Sequence, residues 1–348
     1  MLDISVIIIN YKEAMLTKRC IEFLLESREV LFEVIVIDNS VTTEDKKILN
    51  EVQNKNASVY YMRENVGLSK AYNFAIQKAK GRYIFILNND TEVRDPKSLL
   101  EMKKYLDKNK NVAILQPKIK SLARQNYFEY AGASGGYLDF LGYPFCRGRV
   151  FNIVEKDKGQ YSDIVDITWA SGCAFFADKK TIKKAGLFDP IYFAYAEEVD
   201  MSLKIWNLGF RIVSFPIVEV YHHGAVSWKK RAGRKAFLIH RNHLILFLKC
   251  FPLDDVLRFI PQRLFFELLS MTYYLFVKDR SRIFWVLLSY LSVIVLIPRI
   301  LYKRRQFHKD YKKNNMPLYQ KSIVLEHFLH KKKYFTQLDK SDFFNRET

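Results

Sequence analysis

Cysteine is scarce in this sequence: four residues in 348, Cys20, Cys146, Cys173 and Cys250, without metal-ligand spacing or a compact secreted framework. That excludes a disulfide scaffold and fits a reducing cytosol, with the thiols as core or incidental residues. Acidic charge is also in deficit, 37 Asp and Glu against 56 Lys and Arg, a formal net charge of +19. The imbalance implies an anionic partner, which can be nucleic acid, an anionic lipid surface or a phosphorylated substrate. The glycine fingerprint of dinucleotide-binding folds is missing. Asn10-Tyr11-Lys12-Glu13-Ala14 stands where G-x-G-x-x-G would follow the first strand, which argues against a nicotinamide or flavin enzyme. No basic segment precedes a long apolar one at the start, so a cleaved signal peptide is not expected and the chain is expected to stay on the cytoplasmic side.

What is present is a large apolar fraction, 49% of residues, enough for a substantial core. Apolar strands alternate with helical patterns. Ile4–Ile9 ends at Asn10, and Glu33–Ile37 ends at Asp38-Asn39-Ser40, with Thr43 as the expected cap of the next helix. Val59–Met62 leads to Asn65-Val66-Gly67-Leu68-Ser69 and a helix over 70–80, with Gly81 expected as a left-handed cap. Tyr83–Leu87 reads as a buried central strand that ends abruptly in Asn88-Asn89-Asp90. Asp95-Pro96 then starts a helix, and Val112–Leu115 is a further strand. Near-continuous apolar strands separated by helices imply a mainly parallel α/β sheet covered on both faces, and ligands bind such sheets at the carboxyl ends of the strands. Asn88-Asn89-Asp90 can be plain turn chemistry, or oxygen ligands for a hard cation, Mg2+ or Mn2+, with a diphosphate.

From 125 to 161 periodicity is lost, and glycines punctuate an aromatic, basic stretch that reads as a substrate-facing loop insertion. Arg147 and Arg149 within it can pair with phosphate or be simply solvated. Glu197, Glu198 and Asp200 crowd the first turn of a helix ended by Gly209; dipole compensation needs only one or two acids there. Phe210–Phe215 and Val218–Gly224 read as two strands, the second carrying the paired His222-His223.

These stretches together resemble inverting glycosyltransferases of family 2, with the GT-A fold, and within them the rhamnosyltransferase-like enzymes of bacterial cell-surface polysaccharide assembly. Carrying the resemblance are Ser5–Tyr11, Val36–Ser40, Glu64–Asn73, Leu87–Asp90, Trp169–Cys173, Gly186–Asp189, Glu197–Asp200 and His222 with Gly224, in family order over residues 3–250. The resemblance implies a nucleoside-diphosphate sugar donor held by Asn10, Tyr11, Asp38, Asn65, Gly67, Lys70, Asn73, Asn88 and Asn89, with Gly67 allowing close backbone approach. It implies Mg2+ or Mn2+ on Asp90, with Asn88 and His222 beside it; Asn88 stands where the longer D-x-D motif has its first Asp. It implies Glu198 as the base that takes the acceptor proton, with Glu197 or Asp200 as alternatives, and Trp169, Ser171, Gly172, Arg147 and Arg149 around the sugar or acceptor. The acceptor implied is a lipid-linked saccharide. Rival readings are a nucleotidyltransferase, which makes a sugar nucleotide, and a non-catalytic glycan-binding subunit.

Past Arg241 the composition turns helical, apolar and basic. The uncharged run between Arg282 and Arg299 is 16 residues long; as a helix it spans ~24 Å, short of the ~30 Å hydrocarbon core. Basic residues flank both ends, so no positive-inside asymmetry supports a span, and a peripheral or monotopic helix on an anionic cytoplasmic leaflet of the plasma membrane fits better than a crossing one. A soluble helical cap is the alternative. The expected organisation is a catalytic domain over 1–250, a membrane-associating helical region over 251–305 and a basic polar tail over 306–348. On this reading the charge needs no nucleic acid. The oligomeric state is left open.

Overall fold

The computed structural model describes residues 2–224, 232–309 and 316–343. The first half alternates strand and helix: β1 (Ile4–Asn10), α1 (Ala14–Leu25), β2 (Phe32–Asp38), α2 (Thr43–Glu51), β3 (Ala57–Tyr61), α3 (Leu68–Lys78), β4 (Tyr83–Asn88), β5 (Thr91–Glu92), α4 (Ser98–Lys108) and β6 (Val112–Ser121). Short strands follow, β7 (Gly136–Asp139), β8 (Pro144–Cys146), β9 (Arg149–Val150), β10 (Ile153–Val154) and β11 (Val165–Asp166). Then come β12 (Ala174–Asp178), α5 (Lys179–Lys184), α6 (Glu197–Asn207) and β13 (Arg211–His222). A helical layer, α7 (Ala232–Cys250), α8 (Leu253–Phe276) and α9 (Arg280–Lys309), precedes β14 (Leu318–Tyr319) and α10 (Ile323–Phe328).

Among the described residues, nine strands form one sheet in the order β11-β13-β6-β12-β4-β1-β2-β3, with β5 on β13. The contiguous run β4-β1-β2-β3 is parallel, and β12 is inserted antiparallel between β4 and β6. Every residue of β1 is buried, as are the first five of β4, because helices cover both faces. One core cluster includes Ile7, Ile9, Ile35 and Ile37, the other Val6, Ile8, Val34 and Val36, so alternate residues of the same strands feed opposite layers.

Several local expectations change. The cap of α2 is Thr42, whose side chain accepts from Asp45 N, one residue before Thr43. Asp95 closes a turn upstream of α4 by accepting from Lys97 N at 2.9 Å. Gly81 is not left-handed; it is glycine because a Cβ there would lie 2.5 Å from the backbone of Ile4 and Ser5. Arg211 to His222 is one strand, with register shifts against β6, which broke the sequence pattern into two. The four cysteines are buried free thiols.

Residues 125–161 are a small folded layer more than a loop. Strands β7 to β10 form an antiparallel ladder, extended by β14 parallel to β7. Strands of two to four residues are too short to show a period. The described part of the C-terminal stretch also departs from a loose polar tail: Tyr319, Ile323, Leu338 and Phe343 are buried with Tyr137 and Phe145. Residues 310–315 and 344–348, also assigned to that tail, lie outside the described residues.

Candidate functional site at the carboxyl ends of the strands

Parallel pairing brings three polar strand ends side by side, with Asn10 opposite Asp38 and Ile9 opposite Asn88. Asp38 is buried; it accepts from Asn10 Nδ2 at 2.9 Å and from Ser40 N at 3.1 Å, and the Ser40 hydroxyl also donates to it. Asn10 is a brace and not a donor contact: its Nδ2 also donates to Asp45 Oδ2 at 3.3 Å and its Oδ1 accepts from Thr17 at 2.8 Å. Asn89 faces away too, donating to Thr17 Oγ1 at 3.1 Å. Tyr11 is half-buried just past the end of β1. Asn65 locks the next loop, accepting from Asn39 Nδ2 and Gly67 N, each at 3.0 Å, while Val66 N donates to Asn39 Oδ1. Asn39 was not singled out by the sequence, although it follows Asp38 directly.

Gly67 and Asn73 carry roles other than those expected. Gly67 has φ +80°, and a Cβ would lie 2.5 Å from the Phe193 carbonyl oxygen, so the close approach it permits is to the chain itself. Leu68 N donates to that same oxygen at 2.7 Å. Asn73 grips Phe188 with both ends of its amide, donating to the carbonyl at 2.8 Å and accepting from the N–H at 2.9 Å, so it is not free to reach a nucleotide. Both residues fasten α3 to the segment that leads into α6. Lys70, on α3, is exposed.

Past β4 the chain turns through Asn89-Asp90 into β5, and β13 returns beside it with His222 opposite Thr91. His222 Nε2 lies 3.0 Å from Asp90 Oδ1 and 3.3 Å from Asn88 Nδ2, and its Nδ1 is 3.7 Å from Glu129 Oε1. Burial alone would raise the Asp90 carboxyl, but the hydrogen bond and charge of His222 hold it below its ordinary value. No cluster of three or more His, Cys, Asp or Glu able to hold a metal occurs among the described residues. One carboxylate and one imidazole, the latter giving up its Nε2 proton on binding, nevertheless fit a cation that takes its remaining ligands from diphosphate oxygens and water, as Mg2+ and Mn2+ do. Glu129, in the aperiodic stretch, had no signal in the sequence.

The acidic trio divides by environment. Tyr195 and Ala196, with φ of 70° and 68°, turn the chain sharply into α6. Asp200 is fully buried and paired with Lys249 at 2.6 Å and Lys204 at 2.9 Å, so its carboxylate is not placed to act as a base. Glu197 is buried; burial, then the neighbouring charge of Glu198, raises it well above the ordinary range. Glu198 is half-buried, and burial raises it to about 7. Gly172 faces it, the place of an absent Cβ lying 3.8 Å from Glu198 Cβ. One residue on, the Cys173 carbonyl accepts from Asn88 N at 3.0 Å. A single turn thus lies beside the aliphatic base of the Glu198 side chain and is bonded to the strand end that leads to Asp90.

The remaining expected residues separate likewise. Trp169 is buried, donating to Tyr137 O at 3.0 Å, and Ser171 donates to Ala131 O at 2.7 Å; both shape the turn from behind. Arg147 pairs with Asp163 and lies over Tyr161, which commits it to the β7–β10 layer. Arg149 lies over the Tyr130 ring and donates to Phe151 O at 3.1 Å, and its buried Nε has no hydrogen-bond partner among the described residues.

A family model described as glycosyl transferase family 2 matches residues 5–180, just over half of the chain. Among curated proteins, a glycosyltransferase of Streptococcus pneumoniae, GlyG, is 23% identical over 66% of this chain and 71% of its own length. The O-antigen biosynthesis protein RfbC of Myxococcus xanthus is 24% identical over 59% of this chain and 16% of its own. An N-acetylglucosaminyl-diphospho-decaprenol L-rhamnosyltransferase of Mycobacterium tuberculosis is 29% identical over 27% of this chain and 30% of its own. The chain thus spans under a third of the latter two. Similar in fold are GalNAc-T7 with UDP, GalNAc and Mn2+, TM-score 0.57, 18% identity, 71% of this chain and 47% of that one, and the mannosyltransferase PcManGT of Pyrobaculum calidifontis with GDP-Man and Mn2+, TM-score 0.51, 12% identity, 94% and 88%.

Proposed function

Because the chain belongs to glycosyl transferase family 2, we propose that it transfers a sugar, with inversion, from a nucleoside-diphosphate donor to a hydroxyl of a lipid-linked glycan. The observation that carries this reading is the 172–173 turn, which runs beside the Glu198 side chain on one side and bonds Asn88, at the strand end leading to Asp90, on the other. Asp38 takes the nucleoside and Tyr11 walls it. Asp90 and His222 would hold a divalent cation, which would supply positive charge to offset the diphosphate. Glu198 accepts the proton of the acceptor hydroxyl while that oxygen attacks the anomeric carbon. The bond from that carbon to the diphosphate oxygen breaks on the opposite face, and the nucleoside diphosphate leaves with the electron pair. Arg149 is assigned to the acceptor side, its Nε having no hydrogen-bond partner among the described residues. The likeness to the mycobacterial L-rhamnosyltransferase supports an L-rhamnosyl donor and a polyprenyl diphosphate-linked acceptor as the first to assay.

Membrane attachment belongs to the same reading. α9 is long and apolar enough to cross a membrane by length and composition. Its Val286, Ser289, Val293 and Ile300 are buried, while Phe284, Leu287, Leu291, Ile294 and Val295 are exposed. A helix packed along the body on one face and apolar on the other suits a monotopic seat on an anionic leaflet. Glu198→Gln tests the chemistry: transfer drops roughly 10²- to 10⁴-fold with donor binding kept, and full transfer by this variant removes Glu198 as base.

A further inference from the structure

Helix α7 runs behind the segment that delivers Glu198 and holds it at three points. Arg241 Nη2 donates to Ile191 O at 2.9 Å. Lys249 pairs with Asp189 at 2.8 Å and with Asp200 at 2.6 Å. Between them, fully buried Asn242 donates from Nδ2 to two successive carbonyls, Ala194 O at 2.8 Å and Tyr195 O at 2.7 Å. Its Oδ1 accepts from Arg241 Nε at 2.9 Å, which orients the amide with its two N–H groups toward the segment. The carbonyls it holds belong to the turn where Tyr195 and Ala196 are both left-handed. Two consecutive non-glycine residues keep that conformation only where the surroundings over-determine it, and the next two residues are Glu197 and Glu198.

We propose that Asn242 is a positioning residue of the transfer reaction: by tethering the 194–195 carbonyls it fixes the turn that aims Glu198 at the acceptor hydroxyl. The inference rests on Glu198 as base. A primary amide suits the task because it offers two neutral donors from one atom; an aspartate of the same shape offers at most one proton and sets an oxygen against a carbonyl.

The test uses the purified full chain with nucleotide sugar, Mn2+ and a lipid-linked acceptor. Asn242→Asp is expected to lower kcat at least tenfold while the donor KM and the donor-induced rise in Tm stay within twofold of wild type. In a Glu198→Gln background the same change is expected to produce no further loss, because Asn242 acts through Glu198. Asn242→Ser, which keeps a single donor, is expected to fall between. Wild-type kcat in Asn242→Asp, a parallel loss of kcat and donor binding, or an added loss on top of Glu198→Gln would each overturn the proposal. So would failure of both Asn242 variants to fold, which makes the residue part of the scaffold. Full transfer by Glu198→Gln would instead remove the base assignment, while an inactive Glu198→Gln beside a fully active Asn242→Asp would remove only the positioning role.

Discussion

Two adjacent glutamates open α6, and their surroundings give them different work. Glu197 is enclosed, and burial raises its carboxyl well above the ordinary range, whereas Glu198 lies beside the Gly172 turn with its carboxyl pushed up to about 7. A base must be deprotonated to act, so kcat/KM is expected to fall about tenfold per pH unit below that value. The stability sign runs the other way. The folded state holds the Glu198 proton more tightly than the unfolded chain, so stability declines as pH rises from the ordinary carboxyl value of 4.5 toward 7. Glu198→Gln removes that decline, and its Tm advantage over wild type should grow across the same window in a thermal melt. Asp38, Asp90 and Glu198 stand out in the sequence because a carboxylate at the end of an apolar strand, or in surplus at a helix start, breaks its pattern; their roles remain those proposed above. Asn10 and Asn73 were misread for a physical reason. A side-chain amide looks the same in sequence whether it touches a ligand or braces the backbone, and here both ends of each amide are consumed by the chain.

At the scale of elements, β1 to β4 and the helices between them follow from periodicity, since strands and helices of that length leave a clear pattern. The β7–β10 layer does not: its strands are two to four residues long and are completed by β14, some 180 residues downstream of β7. No local pattern encodes a partner that distant. The 187–196 segment shows how elements converge on the site, gripped by Gly67 and Asn73 on one side and by α7 on the other. Gly67→Ala is expected to cost about 1–3 kcal/mol, from the left-handed backbone and the Cβ set against Phe193 O. It should lower kcat more than a surface change of equal cost, because Phe193 lies five residues before Glu198. Denaturant unfolding and a transfer assay on the same preparation check both parts.

For the molecule as a whole, the proposed seat on an anionic leaflet draws on two separate features, the net charge of +19 and the exposed apolar face of α9. Lys303, on α9, pairs with Asp189 at 3.1 Å, so the helix read as membrane-facing is fastened to the catalytic body. Co-sedimentation with phosphatidylglycerol vesicles is expected, with weaker binding to neutral vesicles and partial release by 0.5 M salt; Leu291→Asp with Val295→Asp should abolish it, and equal binding to neutral vesicles would remove the anionic-leaflet reading. The central claim is a cation-dependent nucleotide-sugar site at the ends of β1, β2 and β4. Isothermal titration of the full chain against a panel of nucleoside-diphosphate sugars, with Mn2+ and with chelator, tests it most directly. One donor is expected to bind with Mn2+ and to lose that binding in chelator and in Asp90→Ala; donor binding that is indifferent to both, or no donor binding at all, would rule such a site out.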